Sequence, residues 1–308
     1  MVACVAGARA CYDPGMTADL TPGPRLRHVQ CLAPEGLHRM AYWEWGDAAN
    51  PRVLVCVHGL SRQGRDFDTL ARALSGEYRV VCPDVVGRGR SDWLKNPASY
   101  AIPVYVADMV TLLARLDARE VHWVGTSMGG LIGLGLASLP DSPISKLVLN
   151  DVGPAIEYAA LARIGTYLGQ PAHWHTVDEA ADALLAISRG FGPHTRDEWV
   201  ALTRPQLVAD GDGFKSHYDP AIAVPFKAVT PELAAAGEGM LWHAYDALKC
   251  ATLVLRGAES DLLSRATADA MAQRGPRARV QEIAGVGHAP TLVHADQVEL
   301  VRAFLASP

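Results

Sequence analysis

The stretch Val121-His122-Trp123-Val124-Gly125-Thr126-Ser127-Met128-Gly129-Gly130-Leu131 leaves this chain few folds to adopt. It reads as an apolar strand that breaks sharply at Gly125-Thr126-Ser127-Met128-Gly129 and resumes as a small-residue helix from Leu131 to Leu139. A serine at the apex of so tight a turn sits on strained backbone with its hydroxyl pushed out above the sheet. Gly125 and Gly129 carry no Cβ, so strand and helix can close around that apex. The helix that follows aims its first N–H groups at whatever the serine attacks. In a chain with 28 glycines the bare Gly-x-Ser-x-Gly spacing is weak. Its weight comes from the strand before it, the helix after it, and a His-Gly pair and a late Asp/His pair elsewhere in the right order.

Composition narrows the class. With 308 residues, 49% hydrophobic and 20% charged, the chain can bury a large core. A net charge of −5 gives no basic footprint, which argues against a nucleic-acid partner. Six cysteines are scattered without a C-x-x-C spacing, and Cys56, Cys82 and Cys250 fall in or beside apolar runs. Reduced packing cysteines in a cytoplasmic protein are the expectation. No apolar run approaches the ~18 residues of a transmembrane helix, so no membrane role is expected. Residues 1–24 read as a flexible N-terminal extension. Met1 to Gly15 lack a basic n-region and contain Asp13-Pro14-Gly15, a poor secretory signal, whereas Met16 opens a stretch that reads more like a natural start.

In chain order, Arg25 to Pro34 and Leu37 to Gly46 alternate apolar with polar residues, which predicts an antiparallel pair. Arg52 to Val57 is a continuous β-branched run suited to a strand covered on both faces, and it ends in His58-Gly59-Leu60-Ser61. A helix near Phe67 to Leu74, a strand from Tyr78 to Cys82 and a helix from Val104 to Leu116 follow. The elbow comes next, then a strand from Lys146 to Asn150. This alternation implies a mostly parallel sheet wrapped by helices. It stops after Asp151-Val152-Gly153-Pro154. Residues 155–245 show helical patterns and many aromatics but no strong buried strand. The rhythm resumes with Thr252 to Gly257, a helix from Ser264 to Arg274, a strand from Arg279 to Ile283 and a closing helix from Ala295 to Ala306. The expected division is a core of residues 25–154 and 246–308, with 155–245 as a helical cap.

Taken together, these motifs resemble the α/β-hydrolase fold family over about residues 25–308, and most closely its serine esterases, enol-lactonases and carbon–carbon bond hydrolases with a helical cap. The resemblance implies an eight-stranded, mostly parallel sheet flanked by helices. It also implies catalysis by a nucleophile, an acid and a base in that chain order. Ser127 takes the place of the nucleophile. A serine hydroxyl needs a base within hydrogen-bond reach, and His288, in the turn Gly285-Val286-Gly287-His288-Ala289-Pro290, is the best candidate. His122, His173, His175, His194, His217 and His243 fit surface or packing roles better.

The acid must hold the imidazole's tautomer. Asp261, in Gly257-Ala258-Glu259-Ser260-Asp261, is the expected residue, because its loop offers slack to reach across to His288. Asp151 is a rival: it too ends a strand, and related enzymes sometimes place the acid there. The oxyanion hole is expected at the backbone N–H groups of Leu60 and Met128, with His58 orienting the first of these loops. The turn Gly87 to Asp92 resembles a recurrent family feature that shapes the fold, and no Gly-Lys-Ser/Thr follows to make it a phosphate loop. A serine in the elbow disfavours the dehalogenase and epoxide-hydrolase versions of the fold, which need a carboxylate there. No H-E-x-x-H or clustered His/Cys set points to a catalytic metal, and no cofactor is implied.

The expected reaction is hydrolysis of a small, largely apolar ester or lactone through an acyl-serine. The alternatives are carbon–carbon bond cleavage of a β-diketone-like acid by the same triad, or a non-catalytic ligand receptor of the same fold. Arg62, Arg65 and Arg163 are basic side chains that could hold a substrate carboxylate.

Overall fold

A computed structural model describes residues 23–118 and 120–308. The expectations for residues 1–22 therefore lie outside the described residues. The chain opens with an antiparallel pair, β1 (Arg25–Ala33) and β2 (Gly36–Trp45). It continues through β3 (Val53–Val57), α1 (Asp68–Leu74), β4 (Arg79–Pro83), α2 (Ile102–Leu116), β5 (Val121–Thr126), α3 (Met128–Ala137) and β6 (Ile144–Asn150). After β6 come α4 (Tyr158–Tyr167), α5 (Val177–Ile187), α6 (Arg196–Thr203), β7 (Leu207–Asp210), β8 (Gly213–Ser216), α7 (Ala223–Lys227) and α8 (Pro231–Asp246). The chain closes with β9 (Ala251–Gly257), α9 (Arg265–Met271), β10 (Arg279–Ile283) and α10 (Ala295–Ala306).

Eight strands form one sheet in the order β1-β2-β4-β3-β5-β6-β9-β10. The pairs β1–β2 and β2–β4 are antiparallel, and every pair from β4 to β10 is parallel. Side chains alternate across a strand, so the apolar run of β3 serves both faces at once. Val53, Val55 and Val57 join the core under α2 and α3, with Met109, Leu112 and Ile132. Leu54 and Cys56 join the opposite core under α1 and α10, with Leu70, Leu74, Val301 and Phe304. Fully burying each such side chain is worth about 1.5–3 kcal/mol. Cys31, Cys56, Cys82 and Cys250 are buried and free, which fits a packing role.

The elbow joins β5 to α3. Ser127 sits there at φ 52° and ψ −117°, a conformation a non-glycine residue adopts only when its surroundings impose it. The surroundings are crowded. A Cβ on Gly125 would lie 2.3 Å from the Gly129 carbonyl oxygen, and one on Gly129 would lie 2.0 Å from that of Val57. Gly129→Ala alone would force β3 and α3 apart.

The segment between β6 and β9 is helical apart from one hairpin, β7–β8, which turns at Gly211-Asp212. Glycine at the first of the two turn positions, here Gly211 at φ 58°, is the local signal for such a turn. The segment is stitched to the sheet by the turn after β4: Gly89 N–H donates to His217 O at 2.9 Å, and Asp219 N–H donates to Gly87 O at 2.7 Å. Among the described residues, no helix is long and apolar enough to cross a membrane.

Candidate active site

Ser127, at the apex of the elbow, and His288, in the loop after β10, meet above the carboxyl edge of the parallel strands. The Ser127 hydroxyl donates to His288 Nε2 at 3.0 Å. The other ring nitrogen, Nδ1, donates to Asp151 Oδ2 at 2.8 Å, because an ionised carboxylate can only accept. Ser127, His288 and a carboxylate thus form one chain of hydrogen bonds.

The carboxylate corrects the expectation from the sequence. Asp261 does not meet His288. It takes a two-pronged hydrogen bond from Arg163 of α4, with Nε at 2.7 Å and Nη2 at 3.0 Å, and its side chain is 48% exposed. The loop after β9 has no slack. Ser260 N–H closes back on Gly257 O at 2.9 Å, Glu259 N–H bonds Val286 O at 2.9 Å, and the Ser260 hydroxyl collects Leu263 N–H at 3.1 Å. This knot turns Asp261 outward.

Asp151 follows β6 directly, at φ 55°, a left-handed conformation that Asp tolerates better than most residues. Its side chain is fully buried. Gly257 N–H donates to its Oδ1 at 2.8 Å and the Ser260 hydroxyl to its Oδ2 at 2.6 Å. The short tether from β6 aligns this carboxylate with the imidazole. Ser260, given no role in the sequence reading, is one of the groups that orient it. Asn150 was likewise given no role. Its Nδ2 donates to Thr126 Oγ1 at 2.9 Å and to Pro290 O at 2.8 Å, tying the elbow to the His288 loop. The one sequence hint for these two is their position at strand ends beside the acidic candidates.

His58, fully buried after β3, orients the facing loop. Its Nδ1–H donates to Gly59 O at 2.7 Å while Val85 N–H donates to its Nε2 at 2.9 Å. Burial pushes its pKa down to about 3, so the ring is neutral and the tautomer is set by these partners. With Gly59 O held by the ring, the trans peptide sends the Leu60 N–H the opposite way. Met128 opens α3, so its amide is one of the first-turn N–H groups with no partner inside the helix.

The cavity over Ser127 and His288 is lined by Leu60, Ile164, Tyr167, Leu184, Ile187 and Phe191, with Ser61, Gln206 and Tyr218 as polar groups. Arg62 and Arg163 also border it, and each is already held by a carboxylate. Arg62 grips Asp66 at 2.7 and 2.8 Å, as Arg163 grips Asp261. Arg65 pairs with Asp68 and does not line the cavity. Of the remaining histidines, His122 is buried in β5 against Tyr78, with its pKa lowered to about 4 by burial. Among the described residues, two clusters bring possible metal ligands within 4.8 Å of one another: buried Cys31, His38 and Asp108, and exposed His173, His175 and Asp212. Neither lines the cavity.

A parallel sheet carrying a strained serine on its elbow, with a histidine and a buried carboxylate in line, defines a hydrolase of the α/β type. Residues 54–303 match the model of the alpha/beta hydrolase family, and the chain belongs to that family. It is 54% identical over 289 residues to a 3-hydroxybutyrate-oligomer hydrolase of Cupriavidus necator, covering 92% of this chain and 99% of that one. It is 29% identical to a pimeloyl-[acyl-carrier protein] methyl ester esterase of Xanthomonas oryzae, over 83% of this chain and 95% of the relative. The crystal structure of an alpha/beta hydrolase from Novosphingobium aromaticivorans superposes with a TM-score of 0.81 at 35% identity, covering 92% of this chain and 98% of that one. The protein is a carboxylic-ester hydrolase.

Proposed function

We propose that this protein hydrolyses short oligomers of 3-hydroxybutyrate, and that Ser127, His288 and Asp151 carry the reaction. The observation that bears most weight is the continuous path from Ser127 Oγ through His288 to the buried Asp151, in a chain 54% identical to an oligomer hydrolase of that class. Ser127 Oγ attacks the ester carbonyl as His288 Nε2 takes its proton. The carbonyl oxygen becomes an oxyanion held by the Leu60 and Met128 N–H groups, donors that act on charge present only after attack. As the tetrahedral adduct collapses, the imidazolium gives its proton to the departing alkoxide, the 3-hydroxyl oxygen of the released unit. Water then attacks the acyl-serine, with His288 again as base, and frees the acid and Ser127. Asp151 stays ionised throughout and stabilises the imidazolium.

In this reading residues 155–245 are the cap that shapes the substrate pocket, and 25–154 with 246–308 form the core. Apolar Ile164, Leu184, Ile187 and Phe191 suit the methyl-bearing chain of such an oligomer, and Ser61, Gln206 and Tyr218 suit its ester oxygens. Free, buried cysteines accord with a reducing, cytoplasmic setting.

The test is chromatography of 3-hydroxybutyrate trimer digests beside p-nitrophenyl butyrate assays, on wild type and Ser127→Ala. Monomer and dimer should appear with wild type and vanish with the variant. Ester turnover without trimer cleavage would remove the substrate assignment and leave the mechanism standing. Undiminished turnover by Ser127→Ala would sink the mechanism.

A further inference from the structure

Arg88 is a charged group in the interior that the acyl-transfer steps leave unused. Its side chain is fully buried, and a guanidinium there stays protonated. Among the described residues its hydrogen-bond partners are all neutral. Nε donates to Leu60 O at 2.8 Å, and Nη1 donates to Val86 O at 2.7 Å and to the Tyr105 hydroxyl at 3.0 Å. Nη2 reaches Met128 Sδ at 3.4 Å. The Tyr105 and Tyr100 rings lie 5.0 and 5.8 Å away. A buried cation normally finds a carboxylate, and this one faces carbonyls, a thioether and aromatic rings instead.

Two of those contacts single the position out. Leu60 and Met128 are the residues whose amides the reaction above assigns to the oxyanion. The peptide that carries the Leu60 N–H is pinned at its own carbonyl, Gly59 O, by His58 at 2.7 Å, and the next peptide is pinned at Leu60 O by Arg88. With the peptides on both sides of the Leu60 Cα held, the direction of that N–H is fixed. Electrostatics add to geometry. The ground-state ester is neutral, whereas the tetrahedral adduct carries a full negative charge. A fixed cation behind the Leu60 loop, in a dry surrounding, therefore favours the adduct over the substrate. The backbone that carries Arg88 is itself clamped, by the Gly87–Asp219 and Gly89–His217 hydrogen bonds to the segment after β8.

We propose that Arg88 is a positioning residue for the oxyanion site: its fork fixes the Leu60 loop and the Met128 side chain, and its charge biases that site toward the tetrahedral adduct. The inference rests on the acyl-serine reading. Arg88→Met and Arg88→Gln remove the charge, and both are expected to lower kcat for p-nitrophenyl butyrate on the order of 10²-fold. KM should stay within about threefold, since the neutral ester gains little from the cation. Affinity for butylboronic acid, which forms an anionic tetrahedral adduct on a nucleophilic serine, should fall in parallel with kcat. Arg88→Lys keeps the charge and loses the fork, so it should lie between, roughly tenfold below wild type in kcat and boronate affinity. If the neutral variants fail to fold, the Lys variant carries the test, and wild-type values for it overturn the proposal. Folded neutral variants with wild-type kcat overturn it too, as does a kcat loss that leaves boronate affinity unchanged. Ser127→Ala, assayed alongside, separates the two failures. An inert Ser127→Ala beside an unaffected Arg88→Met overturns this inference alone, whereas an active Ser127→Ala overturns both readings.

Discussion

The loops that leave β6 and β9 begin alike, each following a buried parallel strand at the same edge of the sheet and each carrying an aspartate. Asp151 comes one residue after its strand, is fully buried, and takes hydrogen bonds from His288, Gly257 and Ser260. Asp261 comes four residues after its strand, is 48% exposed, and pairs with Arg163. In the proposed reaction the β9 loop does not supply the acid; it supplies donors to the carboxylate of the neighbouring loop, through the Gly257 amide and the Ser260 hydroxyl. A carboxylate suits this task when other groups fix its orientation, and a short, strained tether serves that end better than reach.

Substitutions at the two loops should separate them sharply. Asp151→Asn keeps shape and tolerance of positive φ but loses the charge and the acceptor that select the His288 tautomer. A fall in kcat on the order of 10⁴ is expected, by analogy with the same change in a serine protease. Asp151→Ala should also lower stability, by about 1–3 kcal/mol for the buried Gly257 amide left without a partner, with a further cost for alanine at positive φ. Chemical denaturation of the two variants checks this, and equal stabilities would argue that the Gly257 contact contributes nothing.

Ser260→Ala comes next. It removes one of three donors to the carboxylate and unties the β9 loop, so kcat should drop about tenfold, the worth of one hydrogen bond to a charged group. A wild-type kcat would show that Gly257 and His288 suffice to orient Asp151. Asp261→Asn should be the mildest. It weakens a half-exposed ion pair worth about 0–1 kcal/mol, and kcat should stay within about threefold of wild type. A loss comparable to that of Asp151→Asn would break the contrast and restore Asp261 as the acid.

Much of this site was legible in the residues. The elbow declares itself because its constraints are local: a strand, two glycines that a Cβ would clash with, and a helix start. His288 was legible by elimination and by its place after the last strand. The hairpin β7–β8 carried its Gly-Asp turn signal inside a segment read as helical. Asn150, Ser260 and Arg88 carried no comparable signal, because each acts on a partner far away in the chain. Asn150 reaches 140 positions to Pro290, Ser260 reaches 109 to Asp151, and Arg88 reaches 28 to Leu60 and 40 to Met128.

By itself, then, the sequence determined the eight-stranded sheet, the serine at its elbow and the histidine after its last strand, since hydrophobic period and turn chemistry act over a few residues. Only the tertiary structure sets Asp151, and not Asp261, against His288. Both stand after strands of like pattern, and the choice depends on hydrogen bonds from Gly257, Ser260 and Glu259 that turn one carboxylate inward and the other out to Arg163. Those bonds exist only once β6, β9 and β10 lie side by side, which no local pattern encodes.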